Sequence, residues 1–143
     1  MSDLQAKQLD NAHAFLSRLN DYDFDGVAEL LAPDFTHEYC PSTLPAPEGK
    51  FKRNKEETVE VFKHSWLVVF EKVMFLPPID TIQGQDAVVF HLKSDGTPKS
   101  GGKKYSNEYM LTFRFRGEKI VYMREFVDSK YAMDYFGADG PGS

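Results

Sequence analysis

The last quarter of this chain constrains its fold more than any other stretch. Between Tyr105 and Asp128, two runs of alternating residues flank Gly117-Glu118. The first, Tyr105 to Arg116, carries Tyr109, Leu111, Phe113 and Phe115 at every second position. The second, Lys119 to Asp128, carries Val121, Met123, Glu125 and Val127 in the same way. Period-two alternation rich in aromatic and β-branched residues predicts an antiparallel hairpin. A two-residue loop sets the register, so Arg116 is expected opposite Lys119, and Met110 opposite Glu125. Glu125 then shares an otherwise apolar strand face with Val121, Met123 and Val127. A carboxylate there is costly without a partner or a task. That makes Glu125 the leading candidate for chemistry.

A chain of 143 residues suits one domain with a real core. The reading places that domain at 1–137, with a frayed tail at 138–143. The formal net charge of −5 argues against nucleic acid as a partner, because phosphate binding needs a basic surface. Basic residues gather at Lys50, Lys52 and Arg53, and again at Lys99, Lys103 and Lys104. Both clusters fall in loop-like sequence and read as solvated. The single cysteine, Cys40, forms no internal disulfide and fits a reducing compartment. No apolar run suits a membrane span or a signal segment. A cytoplasmic protein without a membrane partner is the expectation.

Leu9, Ala12, Phe15, Leu16 and Leu19 recur at helical spacing, which predicts a helix from Asp3 to Leu19. A second helix is expected from Phe24 to Leu31, and a short strand from Phe35 to Tyr39. Cys40 to Arg53 holds Pro41, Pro45, Pro47 and Gly49 without periodicity, which suggests a flap at a pocket mouth. Asn54 with Glu57 resembles a capping box. It opens a third helix along Val59, Phe62, Trp66, Val69, Phe70 and Val73. Met74 to Gln83 is expected extended, Ala87 to Lys93 a strand, and Ser94 to Gly102 a loop. A last helix, Ser129 to Phe136, follows the hairpin, capped by Asp128 and stopped by Gly137. Helices first and an antiparallel sheet afterwards make an α+β layout. A bent sheet wrapped by the early helices forms a cone whose open end is a pocket.

This order is joined to three segments. Tyr105-Ser106-Asn107 lies near the hairpin start, Phe113-Arg114-Phe115-Arg116-Gly117-Glu118-Lys119-Ile120 at the turn, and Arg124-Glu125-Phe126-Val127-Asp128 at the end. Together they resemble the nuclear transport factor 2-like superfamily, nearest to SnoaL-like polyketide cyclases and limonene epoxide hydrolases. The resemblance runs from about Leu4 to Phe136. It implies a cone-shaped α+β barrel, and it places Glu125 on the residue that serves as acid or base in those enzymes. His37 and Tyr39 fall on the first-strand pair that helps hold water in the hydrolases. Leu92 and Ser94 stand where the hydrolases carry an Arg and an Asp, so hydrolysis by that triad is not implied. The superfamily also includes isomerases, dehydratases and silent binding domains, so fold does not settle function.

A carboxyl group in an apolar pocket is pushed toward the neutral range and can shuttle a proton. The plainer reading of Glu125 is an exposed carboxylate paired with Arg114 or a partner subunit. His37 and Tyr39, on one strand face with Phe35, could form a relay or donor pair. The plainer reading is packing under the Pro-rich loop. Phe62, Trp66, Phe70, Phe90, Leu92, Met110 and Met123 are expected to line the pocket. Its substrate would be a small apolar molecule, polyketide- or terpenoid-like. His13, His64 and His91 read as satisfied or exposed. With no ligand spacing among the histidines and no Gly-rich phosphate loop, neither metal nor other cofactor is expected. Two functions remain open: a cofactor-independent isomerase, cyclase or dehydratase, or a binding or interaction domain without turnover. Tyr109, Leu111, Phe113 and Phe115, with Tyr122 and Phe126, are expected to form the outer sheet face of a homodimer.

Overall fold

The structure, a computed structural model, describes residues 2–46 and 49–137. The expected tail at 138–143, and Pro47 of the expected flap, lie outside the described residues. Helix α1 (Asp3–Asn20) starts at a capping box in which Ser2 and Gln5 satisfy each other's backbone N–H groups. Its buried face is Ala12, Phe15, Leu16 and Leu19, as the spacing requires. Helix α2 (Phe24–Leu30) is capped by Asp23, whose carboxylate accepts from Gly26 N–H at 2.9 Å. Then come β1 (Leu31–Cys40), the two-residue β2 (Lys52–Arg53) and α3 (Lys55–His64), whose Asn54–Glu57 capping box is formed.

The third helix ends earlier than its periodicity suggests. A π-helical turn, Ser65–Val69, closes on a Phe70 N–H to Ser65 carbonyl bond. β3 (Phe70–Phe75) follows directly. The β-branched pair Val68-Val69 favours this exit from helix. A register shift between Phe70 and Lys72 puts Phe70 and Val73 on the same buried side of a strand. That bulge reproduces the three-residue spacing of a helix, which is why the sequence misleads there.

The sheet is completed by β4 (Asp80–Gly84), β5 (Ala87–Pro98), β6 (Glu108–Arg116) and β7 (Lys119–Val127), and the last helix is α4 (Ser129–Phe136). The strand order is β2-β1-β7-β6-β5-β3, with β4 also paired to β5. Every pairing is antiparallel except β1 with β7, which is parallel. β5 runs five residues past its expected end at Lys93, reaching Pro98 and holding Phe70–Phe75 alongside. The sheet curls around the helices as a half-barrel, the cone of an α+β fold.

The hairpin departs from its expected register by one residue. Arg116 faces Lys119 as predicted, but a shift between Arg114 and Phe115 leaves Val121 as the extra residue. Beyond it Leu111, not Met110, faces Glu125, and Met110 faces Phe126. Tyr109, Leu111, Phe113 and Phe115 therefore turn into the cone, and Leu111 and Phe113 are buried completely or nearly so. The expected aromatic dimer face is thus core. Phe113 meets Phe15 and Phe90 at ring distances of 5.3 and 5.8 Å and fills the closed end. Gln8, buried on α1, ties the helix to this end by donating to Asp86 Oδ1 and the Gly117 carbonyl, both at 2.9 Å. Gly117 takes φ of 59°, where a side chain is disfavoured.

Candidate active site

The open end of the cone encloses a cavity of about 90 Å³. β1 presents His37 and Tyr39 on the same face as Phe35, because alternate residues share a side of a strand. β7 lies beside it in parallel, with His37 opposite Met123 and Tyr39 opposite Glu125. This pairing brings Glu125 to the cavity wall with its side chain 13 % exposed and His37 at 2 %. His37 Nε2 sits 3.0 Å from Glu125 Oε1. His37 Nδ1 is buried and has no hydrogen-bond partner among the described residues. The tautomer with the proton on Nε2 fits both facts: it donates to the carboxylate and leaves a lone pair, not a bare N–H, on Nδ1. Phe62 stacks on the imidazole at 6.0 Å and fixes its plane.

Phe62 on α3, Trp66 in the π turn and Phe70 on β3 line the cavity. Three other expected wall residues, Phe90, Leu92 and Met123, have no exposed surface and belong to the core behind it. Met110 is 42 % exposed on the convex face, a consequence of the one-residue bulge. Phe75, Val73 and Phe136 complete the apolar wall, the last reaching in from the end of α4. Gly96 on β5 is needed for this packing: a Cβ there would come within 2.9 Å of Phe70 Cε1 and push that ring.

Several polar residues of the wall were not among the sequence candidates. Arg53, which the sequence puts in a solvated basic cluster, is instead 3 % exposed and lines the cavity from β2, opposite His37. Tyr105, Tyr109 and Ser94 also line it. Burial, reinforced by the Glu125 charge, raises the Tyr39 phenol far above its ordinary range. Burial likewise raises Tyr109 well above that range. It pushes Tyr105 up to about 12, held back by hydrogen bonds from Asn107 and Tyr109. All three are neutral hydroxyls at physiological pH, within the field of one carboxylate. The Tyr-x-Asn segment carried a signal for Tyr105. For Arg53 only its place two residues before a helix start could have hinted at burial.

Of the segment expected to be a flap, Leu44 and Ala46 are buried in the core, and Tyr39 N–H bonds the Phe51 carbonyl at 2.7 Å. Among its described residues, Arg53 is the one that lines the cavity. No group of three or more His, Cys, Asp or Glu side chains gathers as a metal site among the described residues. His91 lies on the convex side, paired with the Glu108 carboxylate. Among the described residues, no helix is long and apolar enough to cross a membrane.

Solved structures similar to this fold include PrhC from Penicillium brasilianum. It is 19 % identical, covering 92 % of this chain and 87 % of that one, at a TM-score of 0.78. BvnE pinacolase from Penicillium brevicompactum is 23 % identical, with 94 % of each chain covered and a TM-score of 0.78. AusH from Aspergillus nidulans is 22 % identical, covering 87 % of this chain and 85 % of that one, at 0.72. Identities this low speak for a shared fold only. A comparison with curated proteins found no match. The model of the SnoaL-like domain matches residues 12–123, most of the chain, including all of β1 with His37 and the first part of β7 up to Met123. The chain belongs to the SnoaL-like domain family, within the nuclear transport factor 2-like superfamily.

Proposed function

We propose that this protein is a cofactor-independent small-molecule enzyme, an isomerase, cyclase or dehydratase, in which Glu125 moves a proton on a compact apolar substrate. The observation that carries this reading is the hydrogen bond from buried His37 to one oxygen of Glu125 at an aromatic cavity wall. His37 holds Oε1, so Oε2 is the oxygen that meets the substrate. A carboxylate so oriented takes a proton from one substrate atom and returns it to another. The neutral Tyr39 hydroxyl assists as a hydrogen-bond donor. Apolar walls exclude water and strengthen each of these interactions. A solved neighbour of the same fold is named a pinacolase, an activity consistent with a pocket of this kind.

The cavity of about 90 Å³ is small. An engineered cavity of ~150 Å³ takes up benzene, and ligand sites typically hold ~300–1,000 Å³. A larger ligand therefore has to displace part of the wall. The second reading, a binding domain without turnover, uses the same cavity.

Glu125→Gln separates the two. It keeps the shape and removes the ionisable group, so turnover should fall about 10²- to 10⁴-fold with ligand binding retained. Unchanged turnover would move the chemistry elsewhere. Absence of turnover in the native protein across apolar ketones, phenols and epoxides would favour the binding domain.

The assembly reading is a homodimer through the convex sheet face. Met110 and Phe126 form an exposed cross-strand pair there, at 42 % and 47 %, and Ile82 is 58 % exposed. Sedimentation at micromolar concentration should give a dimer, and Phe126→Glu a monomer. A native monomer overturns it.

A further inference from the structure

The Tyr105-Ser106-Asn107 segment stands out in the sequence, yet the Glu125–His37 pair gives it no task. Its geometry is that of a held donor. Tyr105 bridges Gly96 of β5 through two backbone hydrogen bonds of 2.7 and 2.8 Å. Its ring is enclosed by Phe70, Tyr131, Tyr135 and Phe136, at centroid distances from 4.9 to 5.7 Å. Its hydroxyl oxygen accepts a hydrogen bond from Asn107 Nδ2 at 2.8 Å. The Asn107 amide cannot be turned round, because its Oδ1 accepts from Glu108 N–H at 2.7 Å and the side chain is fully buried. An oxygen that already accepts on one side keeps its own O–H to donate on another.

The remaining polar groups support that direction. The Tyr109 hydroxyl hydrogen-bonds to Ser94 Oγ at 3.1 Å, and Ser94 Oγ accepts from Asn107 N–H at 3.2 Å. A phenol whose oxygen receives a donor, as that of Tyr105 does from Asn107, is a stronger donor itself. Accordingly Tyr105, at about 12, is raised less than Tyr39 or Tyr109. Tyr105 lines the same cavity as Glu125 and feels its charge.

We infer that Tyr105, backed by Asn107, is the residue that donates a hydrogen bond to the oxygen of a compact apolar ketone or enol held in this cavity. The inference rests on the proposed acid–base reading and adds to it a second donor, the one that meets the substrate oxygen. Proton movement next to a carbonyl places charge on oxygen, and a fixed neutral donor stabilises that charge. The substrate class is thereby narrowed to molecules with one carbonyl or enol oxygen on a small hydrocarbon frame.

The test uses the full chain with acetophenone and ethylbenzene, two small probes of similar shape that differ in the oxygen. Infrared spectroscopy reads the carbonyl stretch of bound acetophenone, and titration reads both affinities. In the native protein the stretch should lie well below its value in an alkane. Tyr105→Phe keeps the ring packing and removes the hydroxyl. It should abolish that shift and weaken acetophenone about tenfold or more, with ethylbenzene unchanged. A shift that persists in Tyr105→Phe overturns the inference. So does equal weakening of both probes, or failure of the native protein to bind acetophenone. No turnover is read, so the fate of Glu125→Gln and the fate of this inference are independent.

Discussion

The two faces of the β6–β7 hairpin are built from the same alternating strands and have opposite fates. The concave face holds Tyr109, Leu111, Phe113, Met123 and Val127, all buried, with Glu125 among them. The convex face holds Met110, Arg114, Thr112, Arg124 and Phe126, and two of its large apolar residues are exposed. Alternation creates two faces but does not say which one the sheet curls around. Nor does it say which face of one strand meets which face of the next. Here the single extra residue, Val121, decides that second question. It puts Glu125 against Leu111 inside the cone, where a straight hairpin would put it against Met110.

The difference between the faces can be broken most severely by a deletion. Removing Arg124 shifts every later β7 residue to the other side, so Glu125 and Val127 would face outward and Phe126 inward. Most of the ~5–15 kcal/mol stability of a domain should be lost, seen as insoluble protein or absent near-UV dichroism. Removing Val121 instead deletes the unpaired residue and leaves both strands facing as before. That variant should stay folded, with Glu125 still in the cavity. If the two deletions behave alike, the bulge is not what orients the face.

A side-chain truncation gives the next largest effect. Phe113→Ala opens a hole where Phe15, Phe90 and Phe113 meet and should cost about 3–5 kcal/mol in chemical denaturation. Met110→Ala, two strand positions from Thr112 on the other face, should change monomer stability by no more than ~0.5 kcal/mol. Similar costs at both sites would erase the distinction.

The concave tyrosines offer a pH test of intermediate size. The folded protein keeps Tyr39, Tyr105 and Tyr109 protonated at pH values where the unfolded chain ionises them. For an acid raised in the folded state, the stabilisation is fully present below the unfolded pKa. It is lost as pH rises from about 10 to about 12 for Tyr105, since the unfolded chain then binds fewer protons. Tyr105 alone accounts for about 2–3 kcal/mol over that window. Ultraviolet titration should show these three of the seven tyrosines ionising only on alkaline unfolding. Gradual ionisation of all seven in the folded protein would mean that the concave hydroxyls are wet.

Much of the cone was legible in the sequence because its signals are local. The stripe of α1, the Asn54–Glu57 box, the Asp128 cap and the turn at Gly117 each depend on residues a few positions apart. Glu125, His37 and Tyr39 share the cavity face because each lies at an even spacing along its own strand. Their meeting needed more: the parallel pairing of β1 with β7 joins residues 88 positions apart in the His37–Glu125 bond.

What the sequence by itself determined is the order of elements, the amphipathic faces and a carboxylate on an apolar strand side. Propensity, capping and periodicity act over a turn or two of chain and need no distant partner. Only the tertiary structure decided that β6 turns its aromatics inward, that Phe70 is strand and not helix, that Arg53 is buried, and that Tyr105 joins the cavity wall. Each of these depends on a bulge, a register or a curvature set by packing many residues at once. The free-energy differences among such arrangements are summed over the whole core and are not carried by any one segment.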